Sequence, residues 1–387
     1  MNATLSSGKR MAKPLQLLSA RLHGFSGQER LLWFATRRSP TLATIPEMHL
    51  AADRLIDRSL VAVIVPTCNA EKHWAALCGG LRRQGIPAGQ VLIVDSSSDD
   101  RTAELAQREG YRLHRIERKD FNHGGTRQLA LGLVPWASLV IYLTQDAVLA
   151  TPDSLDLLLS AFEDSRVAAA YGRQLPRPGA GPIEAHARLF NYPPHSEVRD
   201  YESRHTLGIK AAFLSNSFSA YRIRELQDVG GFPSDVIMAE DAIVAGRLLL
   251  AGWKTAYVAE AQVYHSHPFT ISQEFQRYFD IGVCHRCQVW LLERFGDAES
   301  EGGRYVRSEL SYLARRSPHL LPIALLRTVT KALGYNLGLH GRQVNREWSR
   351  RLSYHKHFWD EGPTAPKDAK ASLAESKLAS MGRLPFR

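Results

Sequence analysis

Neither of the glycine-rich phosphate loops that mark dinucleotide and P-loop sites is present. No Gly-x-Gly-x-x-Gly follows the first apolar run, and no Gly-Lys-Ser/Thr loop occurs. Such loops hold backbone N–H groups against phosphate at a helix N-terminus, so both classes lose their main support. There is no Gly-x-Ser-x-Gly elbow, which removes the usual serine-hydrolase signature. Cysteine is scarce. Cys68, Cys78, Cys284 and Cys287, four in 387 residues, are too few for a disulfide framework and fit a reducing, cytoplasmic compartment. Cys284 and Cys287 have the spacing of half a zinc site, but no second ligand pair matches, so they read as helix packing. Long hydrophobic runs are missing as well: none reaches the roughly 18 residues of a membrane-spanning helix. The cluster at 31–35, Leu-Leu-Trp-Phe-Ala, is too short for the apolar part of a signal peptide. A soluble or membrane-peripheral protein is expected.

What the chain does carry is positive charge, unevenly spread. The formal net charge is +10, and residues 304–356 alone hold eleven Lys/Arg against two acids, Glu309 and Glu347, a local +9. The first forty residues add seven bases against one acid, Glu29. Basic surfaces attract nucleic acid, anionic lipid headgroups or phosphorylated substrates. A nucleic-acid site should interleave stacking aromatics with its bases. Here Tyr335, Trp348, Tyr354, Phe358 and Trp359 cluster late, so no nucleic-acid partner is expected. Residues 320–339 are apolar but broken by Arg327, Lys331 and Asn336, the pattern of a helix lying on something and not crossing it. An anionic membrane surface is the expected partner.

Residues 1–58 form a basic N-terminal segment expected to be partly ordered. Clear order begins with Leu-Val-Ala-Val-Ile-Val-Pro (60–66), a short β-branched run that reads as a buried strand. An amphipathic stretch at 70–84 follows, then a second buried run, Gln-Val-Leu-Ile-Val-Asp (90–95), and a helix opened by Asp99 and Asp100. A strand at 111–116, a helix at 125–133 and an apolar strand at 138–143 complete the series. This alternation predicts βαβ units and an α/β fold with a mostly parallel sheet. Ligands in such sheets bind beyond the carboxyl ends of the strands, which brings Pro66-Thr67, Asp95-Ser96-Ser97 and Asp146 into one neighbourhood. A carboxylate just past a central apolar strand is costly unless paired or bound to a cation, and its hard oxygens suit Mg²⁺ or Mn²⁺ on a diphosphate. Glu240 and Asp241 open a further helix, where acids also serve simply to complement the helix dipole.

Several motifs occur in a telling order. They are Val-Ile-Val-Pro-Thr-Cys-Asn (63–69), Val-Asp-Ser-Ser-Ser-Asp-Asp-Arg-Thr (94–102), the acid after the 138–143 strand, and Gly-Gly-Phe…Ala-Glu-Asp (230–241). Together they resemble the family 2 glycosyltransferases of the GT-A fold, over about residues 60–270. Phe-Asn-His-Gly-Gly-Thr-Arg (121–127), Thr-Gln-Asp-Ala (144–147), Phe-Asp-Ile-Gly (279–282) and Ser-Tyr-His-Lys-His-Phe-Trp (353–359) resemble a rhamnosyltransferase-like subgroup.

The resemblance implies a Rossmann-like GT-A domain at 59–270, a helical basic C-terminal extension at 271–360 and a polar tail at 361–387. It implies that Pro66, Thr67, Asn69, Asp95 and Ser97 hold the nucleoside. Arg127 would reach a phosphate, and His123 and Gln145 would contact sugar or phosphate. Asp146 and His265 would hold a divalent metal, with His267 the weaker candidate. Thr144 stands where most of the family has the first aspartate of Asp-x-Asp, so His265 and substrate phosphates must complete the metal shell or metal dependence is slight. Asp241, with Glu240 beside it, would be the general base of an inverting transfer. The implied donor is dTDP-rhamnose and the implied acceptor a hydroxyl of a polysaccharide or lipid-linked oligosaccharide, at the inner face of the plasma membrane. A UDP- or GDP-linked hexose or N-acetylhexosamine donor is the alternative within the fold. Outside it, the alternatives are an inactive scaffold and a polyanion-binding protein.

Overall fold

The computed structural model describes residues 56–296, 299–341 and 344–360. The expectations for 1–55 and for the tail at 361–387 lie outside the described residues. Nine strands form one sheet: β1 Val61–Thr67, β2 Val91–Asp95, β3 Arg112–Arg115, β4 Leu139–Leu143, β5 Val148–Leu149, β6 Val167–Leu175, β7 Glu197–Arg199, β8 Phe218–Arg222 and β9 Lys254–Tyr264. The α-helices of more than four residues are α1 Glu71–Arg83, α2 Thr102–Arg108, α3 His123–Gly132, α4 Ser154–Ser160, α5 Pro182–Asn191, α6 Ile223–Asp228, α7 Glu240–Leu250, α8 Ile271–Cys287, α9 Val289–Phe295, α10 Glu299–Arg316, α11 Leu321–His340 and α12 Arg346–Leu352.

β1 shows why these runs become central strands. Successive side chains alternate faces. Val61, Val63 and Val65 enter a core with Trp74, Leu77 and Leu81 of α1 and Leu155 and Leu158 of α4. Ala62 and Ile64 enter a second core with Ala130 and Leu131 of α3 and Val244 and Leu248 of α7. Helices cover both faces, so the strand is apolar from Val61 to Pro66 and not alternately polar. Each such buried aliphatic side chain contributes roughly 1.5–3 kcal/mol.

The strand order is β3-β2-β1-β4-β8-β6-β9-β5, with β7 also paired to β9. Strands β1 to β4, β6 and β9 all point one way, while β5, β7 and β8 run opposite. The sheet is therefore mostly parallel, as expected, with antiparallel β8 wedged between β4 and β6. The chain reverses direction across the sheet between β1 and β4, which opens a crevice at their carboxyl ends.

The C-terminal helices pack onto this frame. α8 and α11 touch backbone to backbone. A Cβ on Gly334 or Gly338 would lie 2.5 or 2.1 Å from the carbonyl oxygens of Phe275 and Phe279. Phe279, Val283 and Cys284 of α8 join Ile237 and Met238, just ahead of α7, in a small separate core. Cys284 is a buried free thiol donating to the Met238 carbonyl, in keeping with a packing role.

Candidate active site

The loops after β1 and β2 are tied to each other. Thr67 donates to Asp95 Oδ1 at 3.1 Å, and Ser98 N donates to Asp95 Oδ2 at 3.0 Å. Asn69 N donates to Ser98 Oγ and the Asn69 side chain accepts from Asp99 N, both at 2.8 Å. Asp95 is fully buried, so its carboxylate organises this loop pair from beneath. Ser97 faces the other way and donates to the Ile116 carbonyl at 2.8 Å. Gln145 bridges the crevice: its amide accepts from Cys68 N at 2.7 Å and donates to Cys68 O at 3.1 Å. A side-chain amide thus imitates a strand pair where β1 and β4 separate. Among the described non-glycine residues, positive φ occurs at Asn69, Ser97 and Ala239, with values of 51°, 50° and 63°. All three lie in the loops that build this site, where such costly backbone conformations concentrate.

Asp146 lies just beyond β4 and faces two histidines that follow β9. His265 Nε2 is 3.4 Å from Asp146 Oδ1, and His267 Nε2 is 3.6 Å from Oδ2 and 3.1 Å from His265 Nε2. In extended backbone, residues two apart share a face, and His265 N bonds to the Leu175 carbonyl in that manner. Gln174 fixes the first ring: its Oε1 also accepts from Arg188 at 2.6 Å, and it lies 3.0 Å from His265 Nδ1. That places the His265 proton on Nδ1 and turns the Nε2 lone pair inward. Lone pairs of a carboxylate and two imidazoles then converge, all within 4.8 Å of one another. Such a cluster repels itself unless a proton or cation sits among it. The donor set fits a divalent cation.

Burial alone would raise the Asp146 carboxyl. When a proton occupies the cluster in place of a cation, the hydrogen bond from His265, with His267 and Arg177 alongside, outweighs burial and holds the group well below the ordinary carboxylate range. Arg177 clamps Asp146 from outside, donating to Oδ2 at 2.9 Å and to the carbonyl at 2.7 Å. Burial pushes His267 down to about 4, so it is neutral and able to ligate at neutral pH.

The second acidic centre begins at Ala239, whose left-handed backbone turns the chain into α7. Glu240 and Asp241 diverge at once. Glu240 is buried and paired with Arg127 Nη1 at 2.9 Å, both side chains 7% exposed. Asn216 joins the two acids: its Nδ2 donates to Glu240 Oε1 at 3.0 Å and its backbone N–H to Asp241 Oδ2 at 3.1 Å. Asp241 also accepts from Ala242 N at 2.9 Å and remains partly exposed. Burial, reinforced by the Glu240 charge, raises Asp241 to about 7. A carboxylate with that pKa is suited to accepting a proton near neutral pH.

The Phe-Asn-His-Gly-Gly-Thr-Arg motif builds this second centre. Asn122 caps α3 by accepting from Gly125 N at 2.8 Å and donates to Ser234 O at 3.0 Å. A Cβ on Gly124 would lie 1.8 Å from the Pro233 carbonyl, so only glycine lets α3 approach the α7 loop. Arg127 is consequently not held open for a phosphate, as the sequence suggested. Its guanidinium is engaged by Glu240 and by the His123 carbonyl at 2.7 Å. His123 itself sits edge-on between Phe121 and His355, at centroid distances of 5.1 and 5.0 Å. Burial, with Arg127 and Arg277 nearby, lowers its pKa and keeps it neutral, against the pull of Glu240.

The C-terminal extension reaches the same pocket, which sequence reasoning did not foresee. Asp280 of α8 accepts from Tyr354 N and His355 N, each at 3.0 Å, and so fastens the 353–355 segment beside His123. This links the Phe-Asp-Ile-Gly motif to the Ser-Tyr-His motif. Replacing Asp280 with alanine leaves two inward N–H groups unpaired and is expected to destabilise the fold by about 1–3 kcal/mol, read as a lowered Tm. An unchanged Tm would show that the fastening is idle. Arg277, also on α8, has no described residue as a hydrogen-bond or ion-pair partner. Burial and the neighbouring charge of Arg188 lower its pKa, against the attraction of Asp241. The pair Arg188 and Arg277 thus brings strong positive charge close to Asp241.

Residues 139–296 match the family model described as glycosyl transferase family group 2. The chain is 43% identical over 301 residues to the O-antigen chain rhamnosyltransferase RfbN of Salmonella typhimurium, covering 78% of this chain and 96% of that protein. It is also 43% identical over 299 residues to the O-antigen chain rhamnosyltransferase WbaN of Salmonella anatum, covering 77% and 95%. Among solved structures it resembles a mannosyltransferase of Pyrobaculum calidifontis in complex with GDP-Man and Mn²⁺. That likeness has a TM-score of 0.50 at 18% identity, covers 73% of this chain and 88% of that one, and supports the GT-A fold. By its kinship over most of its length, this chain belongs to the family 2 glycosyltransferases and is a hexosyltransferase.

Proposed function

We propose that the protein transfers rhamnose from dTDP-rhamnose, with inversion, to a hydroxyl of a lipid-linked oligosaccharide at the inner face of the plasma membrane. The observation that carries the chemistry is the pair of acidic centres. One is a partly buried carboxylate–imidazole cluster at a strand end, and the other is a separate carboxylate raised to about 7 at a helix start. The acceptor hydroxyl oxygen attacks the anomeric carbon while its proton passes to the free oxygen lone pairs of Asp241. The bond from that carbon to the diphosphate oxygen breaks, and the electron pair leaves with the nucleoside diphosphate. Attack opposite the leaving group inverts the centre. Glu240 does not touch substrate in this scheme; it raises the basicity of Asp241 and holds Arg127.

Asp146, His265 and His267 would hold the divalent cation, which when bound would neutralise charge on the diphosphate. Two imidazoles beside one carboxylate favour Mn²⁺ over Mg²⁺, whose preference is for oxygen alone. Arg188 and Arg277 supply further positive charge for the departing diphosphate. Rhamnose as the sugar is supported by the two O-antigen rhamnosyltransferase relatives.

A thermal-shift panel over nucleotide sugars with Mn²⁺ tests the donor. dTDP-rhamnose should give the largest rise in Tm, since stabilisation follows RT ln(1 + [L]/Kd). A larger rise with a UDP- or GDP-sugar would replace the donor and leave the chemistry intact.

A further inference from the structure

Helix α11 wears its charges on the inside. The charged residues between Leu321 and Leu339 are Arg327 and Lys331, and both turn toward α8. Arg327 Nη1 lies 3.1 Å from one Glu274 oxygen and Lys331 Nζ 3.4 Å from the other. The opposite face carries Leu325, Leu326, Val329, Leu333 and Leu337, exposed by 49, 51, 56, 60 and 37%. Steps of three and four residues put them in one continuous stripe along the helix. The polar residues of α11 do not break it, because their donors bond back to the helix itself. Thr328, Thr330 and Asn336 donate to the carbonyls four residues earlier at 3.0, 2.8 and 2.9 Å. An ordinary surface helix has the reverse arrangement. A face this apolar, with the donors of Thr328, Thr330 and Asn336 turned back onto the helix, is suited to an occupant.

Charge around the stripe selects the occupant. Arg307 and Arg315 of α10 are exposed and have no described ion-pair partner, and Arg316 stacks on the Tyr312 ring at 4.6 Å. Beyond the other end, exposed Trp348 carries Arg351 over its ring at 5.1 Å. An apolar stripe with exposed cations and an aromatic on the helices before and after it in the chain has the composition of an interfacial, lipid-facing segment. A second copy of the chain would bring one +9 segment against another, and like charges penalise that pairing. We propose that the outer face of α11 docks the protein on an anionic bilayer, with Leu325, Leu326, Val329, Leu333 and Leu337 entering the headgroup boundary. The role deepens the reading of a lipid-linked acceptor and rests on it for its purpose, but vesicle binding is measured without any sugar.

The experiment is flotation of the full chain with vesicles of equal parts phosphatidylcholine and phosphatidylglycerol, and with phosphatidylcholine alone. The wild type should float with the mixed vesicles and less with the neutral ones. Val329→Glu/Leu333→Glu should lose binding by at least about tenfold, because burial of each large aliphatic side chain alone is worth that factor. Tm and transfer to a soluble acceptor should be unchanged, since neither side chain touches the core or the site. Leu325→Ser/Leu337→Ser is the second variant and should show the same loss with less added charge. A wild type that stays at the bottom overturns the proposal, as do variants that float equally well. So does a wild-type dimer in light scattering that the variants dissociate without vesicle binding. Failure of the rhamnose panel would leave the flotation result standing, and the reverse also holds.

Discussion

Asp241→Asn should lower kcat by a factor of roughly 10²–10⁴, the usual worth of a positioned general base, and leave the Kd for donor within a few-fold of wild type. The substitution keeps the shape but leaves one oxygen for two donors, Asn216 N on Oδ2 and Ala242 N on Oδ1, so an unchanged donor Kd is what shows that the loss reports the missing basicity. The same group sets the pH dependence. Asp241 must be deprotonated to act and its pKa is raised to about 7, so kcat/KM should climb with pH through about 7 and level above it. Glu240→Gln removes the negative charge that adds to burial in raising Asp241, so the rise should move to lower pH. Rate profiles of the three proteins check both points. Turnover by Asp241→Asn near the wild-type rate would remove the base assignment, and an unmoved profile in Glu240→Gln would remove the coupling.

Loss of the Asp146 cluster should be nearly as damaging. Chelation should suppress transfer, and Mn²⁺ should restore it more fully than Mg²⁺, because two of the three protein donors are imidazole nitrogens. His267→Ala should weaken Mn²⁺ binding by at least about 10–100-fold, since even partners outside the ligand shell commonly carry that much. Asp146→Asn should abolish detectable binding. Calorimetric titration of Mn²⁺ reads these effects without turnover. Full activity in excess chelator, or unchanged Mn²⁺ affinity in His267→Ala, would show that the cluster is held by its own hydrogen bonds and Arg177.

The parallel half of the sheet was legible because burial on both faces leaves an unbroken apolar run. The readings at 60–66, 90–95 and 138–143 fall within one residue of β1, β2 and β4 at every end. The antiparallel strand β8 was not, since Phe-Ser-Ala-Tyr-Arg carries neither a long run nor a clean alternation. The acids at the strand and helix ends announced themselves by position. Their supports did not. Gln174 beside Arg173, Asn216 between two serines and Asp280 on a helix give no sign of their partners, and only tertiary contact shows what they hold. His267 was ranked below His265, although alternation past a strand end puts both on one face. Arg127 reads as a phosphate contact because a base at a helix start suggests phosphate, while its pairing with a buried acid 113 positions away cannot be seen from sequence. For α11 the interrupting charges mark a helix lying on something, without showing which face they take. Glu274 draws them inward and leaves the leucines outside.

The anomeric configuration of the product tests the chemistry most directly. Transfer from an anomerically pure nucleotide sugar to a soluble acceptor, followed by NMR at the transferred sugar's anomeric carbon, distinguishes the two courses. Inversion is expected from one displacement with Asp241 accepting the acceptor's proton. Retention would mean either a second displacement or attack on the face the diphosphate leaves, and both would contradict the role given to Asp241.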